Sequence, residues 1–304
     1  MKENRNRIAL MTRGLTKSYG EVQALRGVDL EVRKGEIYGF LGPNGAGKTT
    51  TIRCLLDLIR PDSGIAKVLG IDPQIDPVMV QSRSGYLPGE LQLNDNLTAE
   101  RQLHYLDDTR NKAADWDFVR RLAQRLNLDL NRTIKNLSKG NKQKVGIVQA
   151  LMHRPEILLL DEPTSGLDPL MQQEVMELIQ EARDEGATVF FSSHIISEVE
   201  AVAERVAIIR QGVIVEVADT DYLTEHMLRK TTVRFKNAVE TDALDRVPGV
   251  TVLSRNGGMS VTLQVEGEMD GLVKALGAFP VSDLETTRAS LEEIFLRLTG
   301  ADDE

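Results

Sequence analysis

Residues 42–50 read GPNGAGKTT, set between an apolar run, EIYGFLG, and KTTTIRCLLDLIR, whose apolar residues recur at helical spacing. Few folds accept a buried strand that turns through three glycines straight into a helix. The pattern G-x-x-x-x-G-K-[ST] in that setting is a phosphate-binding loop. Gly42, Gly45 and Gly47 let the backbone curl until its N–H groups converge on an anion, and the helix N-terminus adds positive potential. Pro43, Asn44 and Ala46 complete the loop. Lys48 is placed to meet β- and γ-phosphates, Thr49 to offer its hydroxyl to Mg2+, and Thr50 to line the same turn. A nucleoside triphosphate is the expected ligand.

The elements around this loop set the fold class. EILLLDE and ATVFFSS are near-continuous apolar runs, the mark of strands buried on both faces. They alternate with the helical patterns PLMQQEVMELIQEARDEG and ISEVEAVAE, so an α/β P-loop domain with a mainly parallel sheet follows. Before Gly35, IALMTRGLTKSYG and VQALRGVDLEVR read as two antiparallel strands. TAERQLHYLDDTR and WDFVRRLAQRLNL read as helices of an inserted helical subdomain over about residues 91–152, with Trp116 as a packing residue. Beyond VAIIRQGVIVEV the strand-like TTVRF, VTVLS and SVTLQV precede two helix patterns, DGLVKALGAF and SLEEIFLRLTG. The second carries a capping box, Ser290 with Glu293, and Gly300 just past its end. The expected division is a nucleotide-binding domain over residues 1–220 and a small α+β domain over 221–304.

With 304 residues and a net charge of −9, the chain has length for a large core and lacks the basic excess of a nucleic-acid binder. No direct nucleic-acid partner is expected. The single cysteine, Cys54, allows no intrachain disulfide and fits a reducing, cytoplasmic setting. No segment reaches the roughly 18 apolar residues of a membrane span, and IALM is too short for a signal peptide's apolar region. Work at a membrane is expected to go through a partner.

EILLLDEPTSGLDP, residues 156–169, ends its apolar run in Asp161 and Glu162. Ligands of open α/β sheets gather at that carboxyl edge. Asp161 is placed to hold Mg2+ through its water shell, and Glu162 to orient or deprotonate an attacking water. Phosphoryl transfer asks the protein mainly for such positioning and charge stabilisation. The phosphate loop, this segment and FSSH before a helix stand in the order and spacing of one family: over residues 8–220 the chain resembles the ATP-binding subunit of an ABC transporter.

The resemblance implies further roles. LSKGN, residues 137–141, stands about twenty residues before Asp161, where that family has LSGGQ. Lys139 replaces a Gly and Asn141 a Gln, while Ser138 and Gly140, which by analogy reach a γ-phosphate, are kept. In the family this signature meets ATP bound to the opposite subunit, so two chains sandwich two nucleotides. Because both half-sites are on this chain, a homodimer is the simpler expectation and a heterodimer stays open. Tyr19 corresponds to the aromatic residue that stacks on adenine, and His194 to the switch histidine near the γ-phosphate. Asp168 matches a loop that contacts the partner subunit, and also reads as a helix N-cap before Pro169. One station departs from the pattern: SGYLPGELQL has Gly89 where the family carries Gln or Glu near Mg2+, with Glu90 the candidate ligand one residue along.

The function implied is ATP binding and hydrolysis that drives a separate transmembrane permease subunit from the cytoplasmic face of the cell membrane. GYLPGE, LSKGNKQK and the C-terminal domain resemble the drug- and antibiotic-exporter type. The alternative is a soluble cassette ATPase acting on ribosomes or DNA. The first of these usually shows two cassettes in one chain and the second long heptad insertions, and neither feature is present here.

Overall fold

The computed structural model describes residues 7–110, 112, 114–220, 229–266 and 269–288. Two compact units divide the chain, Met1–Val217 and Ala218–Glu304. The expected helix over SLEEIFLRLTG, with Ser290, Glu293 and Gly300, lies outside the described residues.

The first unit opens with two long strands, β1 (Ile8–Tyr19) and β2 (Val22–Arg33), which pair antiparallel as their alternation requires. They join β4 (Ser63–Val68) in a three-stranded sheet ordered β2-β1-β4. The second sheet is the one that positions the site. Its strands are β3 (Ile37–Leu41), β5 (Ser84–Leu87), β6 (Ile157–Asp161), β7 (Thr188–Ser193), β8 (Arg205–Arg210) and β9 (Val213–Asp219), in the order β5-β6-β7-β3-β8-β9. Pairing is parallel from β5 through to β8. Every residue of β3, β6 and β7 is buried, which explains their unbroken apolar runs: both sheet faces are covered. The centre is aromatic, with Phe190 packed 5.2 Å from Phe40 and 6.0 Å from Tyr38, centroid to centroid.

The helices of this unit are α1 (Lys48–Leu55), α2 (Pro77–Arg83), α3 (Ala99–Thr109), α4 (Trp116–Arg125), α5 (Lys139–Leu151), α6 (Pro169–Asp184) and α7 (Ile196–Val202), with α3 and α4 packed on α5. Side-chain caps start many of them, since the first N–H groups of a helix have no internal partner. Thr98, Asp115, Ser138 and Asp168 cap α3, α4, α5 and α6. Trp116 is a packing residue: its ring stacks on His104 and its Nε1–H donates to buried Asp107 at 2.9 Å. The second unit pairs β10 (Arg229–Phe235), β11 (Val250–Asn256), β12 (Ser260–Val265) and β13 (Val281–Arg288) in an antiparallel sheet ordered β11-β12-β10-β13. Helix α8 (Asp270–Leu276) closes its core through Leu272 and Leu276. Among the described residues no helix is long and apolar enough to cross a membrane.

Behind β5, Arg110 at the end of α3 donates to the carbonyls of Gln81 and Ser84 at 3.3 Å and lies 3.0 Å from His153 Nε2. That nitrogen also stands 3.2 Å from the Ser84 carbonyl, and the neighbouring cation disfavours a charged ring. Burial, then the Arg110 charge, bring the His153 pKa down to about 4. An unfolded histidine titrates near 6.5, so between these values the unfolded chain takes a proton that the native ring refuses. The contribution is fully present above about pH 6.5 and is lost as pH falls toward 4. Urea unfolding across that window is expected to show wild type losing stability with acid more steeply than His153→Gln; parallel pH profiles would contradict it.

Candidate functional site

Register brings the site together. In the parallel sheet Asp161 pairs with Ser192, and Leu41 with Ser193. The residues that next leave β3, β6 and β7 are Gly42, Glu162 and His194, so three loops emerge side by side at one carboxyl edge. Such an edge is where open α/β sheets hold ligands.

The phosphate loop runs from Gly42 into α1. Gly47 has φ +114°, and a Cβ there would lie 2.7 Å from the Ala24 carbonyl oxygen, so only glycine fits. Pro43, Asn44, Gly45, Ala46, Gly47, Lys48, Thr49 and Thr50 line one cavity together with Ala24 and Glu162. Lys48 is 5% exposed, and its ammonium donates to the carbonyls of Gly42 at 2.6 Å and Pro43 at 3.2 Å. Burial lowers its pKa, and the Glu162 and Asp161 carboxylates oppose that fall. The ammonium thus stands over the loop it would serve.

Two hydroxyls grip the Asp161 carboxylate. Thr49 Oγ1 donates to Oδ2 at 2.6 Å and Ser192 Oγ to Oδ1 at 2.5 Å. Thr49 and Asp161 therefore set two hard oxygen donors at contact distance at the loop's end. That donor set fits Mg2+, which at phosphate sites takes one or two protein oxygens beside phosphate and water. A Cβ at Gly89 would lie 2.9 Å from the same Oδ2. The chain after β5 thus passes against Asp161 with Gly89 facing it, while Glu90 is exposed.

Glu162 has φ +51°, a left-handed conformation uncommon outside glycine. Its surroundings hold it there. Its N–H donates to Ser192 O at 3.2 Å and Ser192 Oγ at 3.1 Å, and Gln143 Nε2 donates to the carbonyls of Glu162 and Pro163 at 3.1 and 3.0 Å. The twist sends its carboxylate over the loop, where Oε1 lies 3.6 Å from Lys48 Nζ and 3.2 Å from His194 Nδ1. A carboxylate accepts only, so Nδ1 carries the hydrogen and Nε2 is left for another partner.

The structure thus brings Lys48, Thr49, Asp161, Glu162 and His194 into one constellation. Ser138, Gly140, Asp168, Tyr19 and Glu90 are not among the residues lining the cavity over the loop. Ser138 Oγ accepts from Asn141 N–H as the cap of α5, which leaves its own hydrogen to donate. Gly140 packs so tightly that a Cβ would meet the Gly166 carbonyl at 2.7 Å, and the Lys139 stem lies over Gly166. Asp168 caps α6 through Met171 N–H. Tyr19 is 48% exposed at the end of β1, with Lys17 Nζ 5.8 Å from its ring centre. Sequence reasoning missed Ser192 and Gln143 as contacts of the acidic pair, while Gly89, noted there as the residue at the metal-side station, faces Asp161. Gln143 lies within the LSKGNKQK stretch, but its burial is visible only in the structure.

The family model described as ABC transporter matches residues 25–165. The daunorubicin/doxorubicin resistance ATP-binding protein DrrA of Streptomyces peucetius is 32% identical, over 97% of this chain and 94% of that one. The bacitracin transport ATP-binding protein BcrA of Bacillus licheniformis is 32% identical, over 96% and 97%. A bacterial ABC transporter cassette solved as a dimer is 25% identical with a TM-score of 0.62, over 69% of this chain and 98% of that one. The chain belongs to the ABC transporter family, as one of its ATP-binding proteins.

Lys48→Ala removes an ammonium over the phosphate loop. ATP affinity in a fluorescence titration is expected to fall roughly 10- to 150-fold, the loss of a charged hydrogen bond of about 1.5–3 kcal/mol. An unchanged affinity would deny Lys48 the phosphate contact.

Proposed function

We propose that this chain hydrolyses ATP and that closure of two such chains on ATP drives a separate transmembrane permease subunit, which it meets at the cytoplasmic face of the membrane. The observation that carries the reading is the Glu162 carboxylate, set between Lys48 Nζ and His194 Nδ1 above the phosphate loop. The loop's N–H groups and Lys48 bind the β- and γ-phosphates, with Tyr19 stacked on adenine. Thr49 and Asp161 would hold Mg2+, with Glu90 as a further ligand; when bound, the ion neutralises charge on the phosphate oxygens. Glu162 takes a proton from the attacking water as its oxygen bonds the γ-phosphorus and the bond to the leaving ADP oxygen breaks. His194 holds that carboxylate in aim.

The partner chain supplies Ser138 and Gly140 across the interface, donors outside the cavity of their own phosphate loop, and Asp168 lies on the contact. Donors given in trans to a phosphoryl group can contribute about 10³–10⁵ in rate. The near-full-length likeness to drug and antibiotic resistance ATP-binding proteins supports an exporter over a soluble cassette acting on ribosomes or DNA. The same likeness supports residues 1–220 as the cassette and 221–304 as an accessory domain that those relatives share.

Glu162→Gln keeps the shape and removes the base. Its turnover is expected to fall by at least about a hundredfold with ATP binding retained, and its solution mass to double on adding ATP and Mg2+. Full turnover would sink the role of Glu162, and an unchanged mass with nucleotide bound would sink pairing with an identical chain.

A further inference from the structure

A third carboxylate, beyond Asp161 and Glu162, is joined to the loops of the constellation. Glu198, on the first turn of α7, is 8% exposed. A Glu at this position of a helix commonly turns back to the N–H at the helix start. Here that N–H, from Ile195, goes to Ser193 Oγ at 2.9 Å instead. Both Glu198 oxygens reach hydroxyls of other segments: Oε1 accepts from Thr164 Oγ1 and Oε2 from Ser193 Oγ, the latter at 2.7 Å. Thr164 and Ser193 are 3% and 2% exposed, so the whole triad is shielded from water.

The two hydroxyls stand at informative places. Ser193 immediately precedes His194, and Thr164 follows Glu162 by two residues in the turn where Ser165 N–H donates to the Glu162 carbonyl. A buried carboxylate must satisfy its oxygens, and hydrogen bonds to an ionised acceptor are about twice as strong as neutral ones. Glu198 therefore ties the loop carrying Glu162 to the loop carrying His194 from beneath. The strained backbone at Glu162 and its 3.2 Å contact with His194 belong to the two loops so tied.

We infer that Glu198 is a positioning residue for ATP hydrolysis, clamping the Thr164 and Ser193 hydroxyls so that Glu162 and His194 keep their mutual geometry. The inference rests on the reading of Glu162 and His194 as the hydrolytic pair. It predicts loss of turnover with nucleotide binding intact, because the phosphate loop and Lys48 are held by other contacts.

The test measures kcat, KM and ATP affinity on the full chain for Glu198→Gln, Thr164→Val and Thr164→Ser, with thermal denaturation to report the folded fraction. Glutamine can accept from only one of the two hydroxyls through its single carbonyl oxygen. Its kcat is expected to fall about 10- to 100-fold, the scale of an ångström-sized misplacement, with ATP affinity within about twofold of wild type. Thr164→Val, which keeps the shape without the donor, is expected to fall similarly, and Thr164→Ser, which keeps the donor, to restore turnover. The double variant Glu198→Gln/Thr164→Val should be no worse than either single one, as for groups acting as a unit. Turnover near wild type in Glu198→Gln and Thr164→Val would overturn the proposal. A fall of kcat in step with affinity or folded fraction would do the same. Glu162→Gln run alongside separates the two readings: if it alone loses turnover, the hydrolytic reading stands and the clamp fails. If it retains turnover, the hydrolytic reading itself has failed.

Discussion

The carboxylate of Asp161 is the point on which the rest of the site hangs. It ends the most apolar strand of the sheet, is 1% exposed, and is held by a hydroxyl from the helix after the phosphate loop and another from the neighbouring strand. A charge so placed is tolerable only because each oxygen is satisfied. In being satisfied it ties the carboxyl ends of β6 and β7 to the first turn of α1. Everything that would meet the phosphates is then defined relative to it: Thr49 by direct contact, Glu162 as the next residue, Gly89 by van der Waals proximity.

Hydroxyl and amide side chains do much of the holding. Ser192 bonds both Asp161 and the N–H of Glu162, and Gln143 reaches from the signature helix to the two carbonyls after Asp161. The left-handed backbone at Glu162 is the kind of strain that persists only where surroundings over-determine it. Here the signature helix, a central strand and the buried Glu198 all press on the same short loop. Gln143 thus joins the helix that opens at Ser138 to the loop that carries Glu162.

The departures from the family pattern are local. Lys139, in place of a glycine, lays its stem over Gly166, filling space that a glycine would leave open. Gly89, in place of a longer polar residue, brings bare backbone to Asp161, where a Cβ would stand 2.9 Å from Oδ2 as the loop lies. The Thr49–Asp161 hydrogen bond that fits Mg2+ is formed alongside both.

Much was legible in the linear chain. The phosphate loop could be read because its demands are local: glycines where φ must be positive, a lysine and a threonine at the first turn of a helix. The unbroken apolar runs of β6 and β7 foretold strands buried on both faces, and Asp168 before Pro169 marked the start of α6. By contrast β4, α2 and β13 were not singled out, for SGIAKV, PVMVQSR and VSDLETTR are short and lack a clean period. Nor did anything in the sequence mark Ser192, Gln143, Thr164 or Glu198, since a polar residue in a strand, turn or helix looks alike whether it faces water or a buried acid. The sequence by itself determined the class of domain and the chemistry it carries, because backbone geometry and residue type encode those over a few neighbours. Only the tertiary structure decided which side chains hold that chemistry in place, because those partners lie 5 to 112 residues apart and are joined solely by the register of the parallel sheet and the packing of its helices.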